Sequence, residues 1–336
     1  MVSIKLGSPP SLTLLLVVAI CMALTLGAIP LSFGEVFAVL SGSGEALHET
    51  LILQLRLPRV LQAAVIGGLL ALTGALSQGM FRNPLADPSL IGVTGGASLG
   101  GALVLALGIG AGTGADLSIS VGAFVGGLIA TGLVYQIART TQGTSVSTLL
   151  LAGVAITALA GALVSVLEMT VDNSTLRRVA VWRLGSLAGA NYQSLALSCS
   201  ALTLVILASL PLRNVLNAFL LGEAEAGHLG YDTARSKALL TSLIAAGMGV
   251  TVALAGAIAF VGLVVPHMVR LYSGPEHKAL IPRCTLLGAL VLVLADLLSR
   301  TLLAPGEIPL GIVTALLGVP YFLILLRRYQ SGLVIS

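Results

Sequence analysis

A chain of 336 residues that is 57% hydrophobic and only 9% charged, with 40 glycines and a net charge of +4, is not an ordinary soluble domain. Hydropathy this high along the whole length reads as a polytopic membrane protein. The positive balance does not mark a nucleic-acid binder, because the Lys and Arg residues are scattered at the ends of apolar segments, where they act as topology signals. Cys21, Cys199 and Cys284 have no C-x-x-C spacing and no ligand neighbours, which speaks against a disulfide framework or a metal site built on them.

A bilayer core about 30 Å thick needs roughly 20 apolar residues per spanning helix. Helices are required because unpaired backbone groups cannot be left in lipid. Apolar runs bounded by charge or by Pro and Gly clusters predict spans at 11–33, 57–80, 90–109, 117–138, 145–169, 191–211, 236–256, 258–270, 281–300 and 307–326. The first is longer than a signal-peptide core and lacks an A-x-A cleavage site, so it is the first membrane helix. The eighth is short, at most a partial span. The expected fold is therefore all-α, one transmembrane domain over 1–336 with about ten helices, and ten crossings put both termini on one side. With a cytoplasmic N-terminus, eleven of the 17 Lys and Arg residues fall inside and six outside, in agreement with the positive-inside rule. The six are Arg56, Arg59, Arg177, Arg178, Arg183 and Arg300.

Two small-xxx-small faces, Gly96/Gly100 and Gly122/Gly126, predict close helix packing. "ALTGALSQGMFRNP" (71–84) echoes "ALAGAIAFVGLVVP" (253–266), and "PSLIGVTGG" (88–96) echoes "IPLGIVTAL" (308–316). On this topology 88–96 and 308–316 run in opposite directions across the bilayer, the pattern of an inverted repeat.

Glycine is abundant, yet nothing fits G-x-x-x-x-G-K-[ST], so no ATP-binding loop is visible. Of thirteen Asp and Glu residues only Glu168 and Asp296 fall inside predicted helices, both near ends, with Glu307 at the first position of the last span. An ion-coupled carrier needs ionisable groups near the midplane, where a charge costs at least about 2.5–3.5 kcal/mol. The chain thus reads as a conduit whose energy comes from elsewhere. For an intramembrane enzyme such as a protease or acyltransferase, H-x-x-x-x-D and H-E-x-x-H are absent, and the one G-x-S-x-G match, at 96–100, falls inside a predicted span on a small-residue face rather than at a strand-to-helix elbow. Two inner stretches are too elaborate for simple loops. "RNPLADP" (82–88) contains two prolines that force a turn. "RNVLNAFLLGEAEAGHLGYD" (213–232) predicts a short helix over 224–229 between Gly222 and Gly230, with apolar surface for a partner protein.

The ordered set "LRLPR", "RNPLADPSLIGVTGGASLG", "LLGEAEAGHLG", "GAIAFVGLVVPHMVR" and "ADLLSR…GEIPLGIVTALLGVPYF" resembles the permease subunits of type II ABC importers, which carry iron–siderophores, vitamin B12 or haem. The resemblance runs over about residues 50–326. It implies ten helices per subunit, a pore made with a second copy, two cytoplasmic ATPase subunits that bind ATP and Mg, a periplasmic substrate-binding protein, and the bacterial inner membrane as location. No cofactor is implied for this chain itself. It further implies that Arg56, Arg59 and Arg300 face outward to receive glutamates of the binding protein. Pro58 is sterically favoured near the helix start, and the helix N-terminus would add a partial positive charge there. Asp296, one turn before Arg300, is placed to orient it. The loop Leu221–Gly230 matches the family's coupling helices, which assigns Leu221, Gly222, Glu223, Ala226, Leu229 and Gly230 to the ATPase contact, buttressed by the "NPLADP" turn. The pore-lining segments implied are the fifth span, the short stretch 173–185, 258–270 and 307–320. Overall likeness, including "VAVWRLGSLAGA" (179–190), points to haem importers, with Arg177, Arg178 and Arg183 available to haem propionates. His48, His228, His267 and His277 lie in loops or at helix ends, and none reads as a dedicated axial ligand.

Overall fold

The computed structural model describes residues 8–109, 115–140 and 143–330. The terminal stretches 1–7 and 331–336, including Lys5, lie outside the described residues. Helices follow one another along the chain: α1 Pro9–Thr25, α2 Phe33–Leu40, α3 Ala46–Phe81, α4 Val93–Ala106, α5 Ala115–Ala138, α6 Val146–Thr170 and α7 Asn173–Arg183. They continue as α8 Tyr192–Ser209, α9 Arg213–Phe219, α10 Glu223–His228, α11 Thr233–Ala255, α12 Val261–Ser273, α13 His277–Thr301 and α14 Leu310–Gln330. Two strands of two residues each, β1 Arg139–Thr140 and β2 Gly143–Thr144, pair antiparallel between α5 and α6.

The predicted spans all fall on helices, but not all of those helices are of spanning length. Among the described residues six helices are long and apolar enough to cross a membrane: α3, α5 (from Leu117), α6, α8, α11 and α13. Pro9–Thr25, Val93–Ala106 and Leu310–Leu325 are shorter apolar helices. The weakest predicted span, 258–270, is a 13-residue helix that starts only at Val261, after non-helical backbone at 256–259. Gly256, at φ 69°, ends α11 in a conformation that a side chain would strain.

The first predicted span is split. α1 stops at Thr25, and Phe33–Leu40 is a separate helix started by a capping box between Ser32 and Glu35. The largest boundary error is at α3. It begins at Ala46, not near Pro58, and is continuous to Phe81 through a π-helical stretch at Thr50–Arg56.

α3 is the central element, packed against α13, α11, α12 and α8 and buried on nearly every face. Its glycines allow this. A Cβ built on Gly74 would lie 1.8 Å from the Gly262 carbonyl oxygen, so any side chain would force α3 and α12 apart. The two small-residue faces pair with each other across α4 and α5: a Cβ on Gly100 would meet the Gly122 carbonyl at 2.0 Å, and one on Gly126 the Gly96 carbonyl at 2.3 Å. Lipid supplies no hydrophobic drive between helices, so such close backbone contact is the main source of their attraction.

The two sequence echoes differ in outcome. Pro88 and Pro309 each precede a helix start, at Val93 after a 3₁₀ turn and at Leu310. Gly74 and Gly256 do not correspond: the first is mid-helix and the second breaks one.

Candidate functional site: an arginine cluster and an opposite inner element

α3 separates two polar regions. Arg59 on this helix contacts the C-terminal part of α13, and Gly79 abuts His277 at the N-terminus of α13. At 1.5 Å per residue these contacts are about 30 Å apart, one hydrocarbon thickness.

At the first end Arg56, Arg59 and Arg300 come together, as expected, but they are not presented to solvent. They are 7%, 9% and 7% exposed. Arg59 Nε donates to Asp296 Oδ1 at 2.9 Å, and its two terminal nitrogens donate to Glu307 Oε1 and Oε2 at 2.8 and 2.9 Å. Arg300 Nε lies 3.0 Å from Asp296 Oδ2, an ion pair whose angle is off that of a hydrogen bond, and its Nη2 donates to the Ala23 carbonyl. Asp296, 1% exposed, therefore bridges two guanidiniums. The one-turn spacing to Arg300 held; the partnership with Arg59 did not show in the sequence.

Arg56 has no carboxylate and donates instead to the carbonyls of Leu24 and Thr25 in the last turn of α1 and of Ile29 just beyond it. The last carbonyls of a helix lack intrahelical partners and are ready acceptors for such a cation. Two expectations are corrected here. The cluster sits three turns inside a helix, so Pro58 does not start it and no helix N-terminus adds charge. The arginines are knotted among α1, α3, α13 and the 302–309 loop, rather than standing as free surface cations.

Between this end and α14 lies a cavity of about 500 Å³ lined by Arg183, Leu184, Ala257, Gly311, Ile312, Ala315, Leu316, Val319 and Pro320. Its wall is almost wholly apolar, with Arg183 the one charged residue. The segment predicted at 173–185 is α7, capped by Asp172, whose carboxylate accepts from Ser174 and Thr175. Those bonds, Ser174 first, hold the Asp172 carboxyl well below its usual range. Of the three arginines assigned to propionates, Arg177 and Arg178 are exposed, whereas Arg183 pairs with Glu168 at 3.1 Å.

The opposite end of α3 contains the other predicted element. Glu223–His228 is a short helix between Gly222 at φ 137° and Gly230 at φ 89°, one residue earlier than expected. Leu221 and Leu229 flank it at 69% and 61% exposure, while Ala226 is fully buried against the bundle. Glu223 is not simply a surface acid. It accepts from Lys237 Nζ at 2.5 Å.

The "RNPLADP" turn, expected to buttress this loop, leads back into the bundle. Arg82, at φ 50°, ends α3, Asn83 accepts from the Leu85 amide, and the chain then folds back along the bundle. Pro88 and the Leu70 carbonyl both crowd Gly262, which places Pro88 about 16 Å up α3 from Phe81. The Asp87 carboxylate caps the 3₁₀ turn through the Ser89 amide at 2.8 Å and lines a cavity of about 100 Å³ with Ser89, Thr94, Met248 and Thr251. The expectation that acids enter the bundle only at Glu168 and Asp296 is therefore incomplete. A loop carried Asp87 in, and hydropathy reads no depth from a loop.

A family model, the FecCD transport family, matches residues 15–328. The chain belongs to that family. It is similar to the hemin transport system permease HmuU of Yersinia pestis, 40% identical over 321 residues that cover 95% of each chain. It is also similar to the vitamin B12 import permease BtuC of Vibrio cholerae, 41% identical over 89% of each chain. The cobalamin import permease BtuC of Halobacterium salinarum is 40% identical over 91% of this chain and 79% of that one. Among solved structures, an inward-facing metal-chelate type ABC transporter superposes with a TM-score of 0.86 at 33% identity, covering 95% of this chain and 98% of that one. The chain is thus a transmembrane ABC permease.

Proposed function

We propose that this chain moves haem, or a related iron chelate, from periplasm to cytoplasm as the permease of a bacterial inner-membrane ABC importer. It would work as a pair of copies with two ATPase subunits and a periplasmic binding protein. Ten crossings with both termini inside fit the eleven-to-six bias of positive charge. One observation carries the reading: a family match over nearly the whole chain coincides with polar elements at opposite ends of one buried helix. The match spans 15–328.

On this reading Leu221 and Leu229, held out by a helix of fixed entry and exit, enter a cleft of the ATPase. ATP binding with Mg draws the two ATPases together, and the inner ends of the permease follow. Outside, the acidic lobes of the binding protein meet the arginine cluster. Glu307, whose side chain is 41% exposed, already occupies Arg59, so a docking carboxylate must share or displace it. The apolar cavity beside Arg183 fits a flat, largely apolar substrate with anionic edges. The test is uptake into vesicles holding the complete complex, with haem, ferric siderophore and cobalamin compared. Haem uptake that requires ATP supports the reading, and uptake of cobalamin alone replaces it with a corrinoid importer, for which the two BtuC relatives speak. Asp87 supports one further alternative, an ion-coupled carrier. Accumulation by this chain without any ATPase would establish it.

A further inference from the structure

Lys237 lies in the second turn of α11 and is 4% exposed. A lysine is almost never buried so fully unless its charge is met. Here Nζ donates to Glu223 Oε1 at 2.5 Å and to the Thr144 carbonyl at 2.8 Å. The two acceptors belong to different elements. Glu223 is the first residue of α10, the element proposed to meet the ATPase. Thr144 ends β2, and the next residue, Ser145, caps α6 by accepting from the Thr148 amide. One ammonium therefore ties α10, α11 and the N-terminus of α6 together. Its compact charge and three donors on a flexible stem suit two acceptors in different directions.

α6 is a suitable lever. It runs unbroken for 25 residues, about 37 Å, and passes through Val171 and Asp172 directly into α7, which ends at the cavity residue Arg183. By contrast α10 is a six-residue helix anchored to the bundle chiefly by Ala226 and by the Lys237 contact.

We propose that Lys237 is a positioning residue that transmits displacement of α10 to α6, and through α6 to the cavity beside Arg183. This rests on the reading of 213–232 as the ATPase contact. When α10 is drawn inward, the Glu223–Lys237–Thr144 chain makes the start of α6 move with it. Without Lys237, α10 can follow the ATPase while α6 stays behind.

The test uses the complete complex in proteoliposomes and reads substrate moved per ATP hydrolysed, a ratio that a merely structural role would not lower in a folded complex. Lys237→Met should reduce the ratio about tenfold, and Lys237→Arg should restore it to within about threefold. Glu223→Gln should lower it less than Lys237→Met, and the double variant should be no worse than Lys237→Met alone, since the two residues act as one unit. A wild-type ratio for Lys237→Met overturns the proposal, as does strict additivity. If Lys237→Met does not assemble, Glu223→Gln and Lys237→Arg decide by themselves, because Glu223 is half exposed and its amide analogue keeps its shape. Cysteines at Leu221 and Leu229 separate the two readings. Their failure to cross-link to the ATPase in an intact complex removes the docking role of the loop, whereas cross-linking with an unchanged ratio removes only the role of Lys237.

Discussion

The two polar ends of α3 solve the same problem in opposite ways. At the outer end, three arginines, Asp296 and Glu307 form a knot that joins four chain segments, with Asp296 serving two guanidiniums at once. At the inner end a single lysine joins three segments, and two exposed leucines stand beside it. Buried charge with several mutual partners resists motion, because displacing one group strands the others in low dielectric. A single ionic tie with open apolar surface next to it can be moved as a unit. On the proposed function, the arginine end would act as a fixed fulcrum and the Lys237 end as a handle.

The largest test of that contrast is Asp296→Asn. It leaves Arg59 and Arg300 without their shared counter-charge and should destabilise the protein by about 3–5 kcal/mol, read as a large drop in the thermal midpoint in detergent. A shift comparable to that of a surface substitution would show that the knot is not a fulcrum. Next comes Gly74→Val, which must separate α3 from α12 by its Cβ alone. Overpacking of this kind costs about 1–3 kcal/mol, and a variant as stable as the parent would mean that α12 moves freely.

Glu307→Gln is smaller, because the pair is partly exposed and such pairs contribute about 1 kcal/mol or less. It should leave folding intact and free Arg59, so binding-protein-stimulated ATP hydrolysis should rise or reach half-saturation at lower binding-protein concentration. Arg56→Glu with Arg59→Glu should abolish that stimulation. Normal stimulation by the double variant at physiological salt would remove docking from this end. The smallest change in stability belongs to Leu221→Asp with Leu229→Asp, within about 0.5 kcal/mol. The same variant should nevertheless lose the ATPase during purification, and co-purification at the parental ratio would count against the handle.

Local patterns were legible where neighbours in sequence are neighbours in space. The Gly222 and Gly230 stops, the Asp296–Arg300 turn and the small-residue faces of α4 and α5 follow from spacing alone, whereas the pairing of those two faces does not. The start of α3 was not, because polar residues between Glu45 and Gln54 interrupt the apolar run while the backbone continues as helix through its π-helical turn. Glu307 on Arg59, Glu223 and Thr144 on Lys237, and carbonyls from 24–29 on Arg56 join residues far apart along the chain. No periodicity encodes such partners.

By itself the sequence determined that this chain lives in a membrane, which segments become helices, where its positive charges concentrate, and which importer family it resembles. Those properties depend on the transfer of apolar residues and on spacing along one helix, both of which are local. Only the tertiary structure decided that the outer arginines are buried and already paired, that the Asp87 turn folds into the bundle, and that Lys237 links the inner helix to α6. Those outcomes depend on which helices touch, and the carbonyls and carboxylates that meet a buried cation come from whichever segments the packing brings within 3 Å.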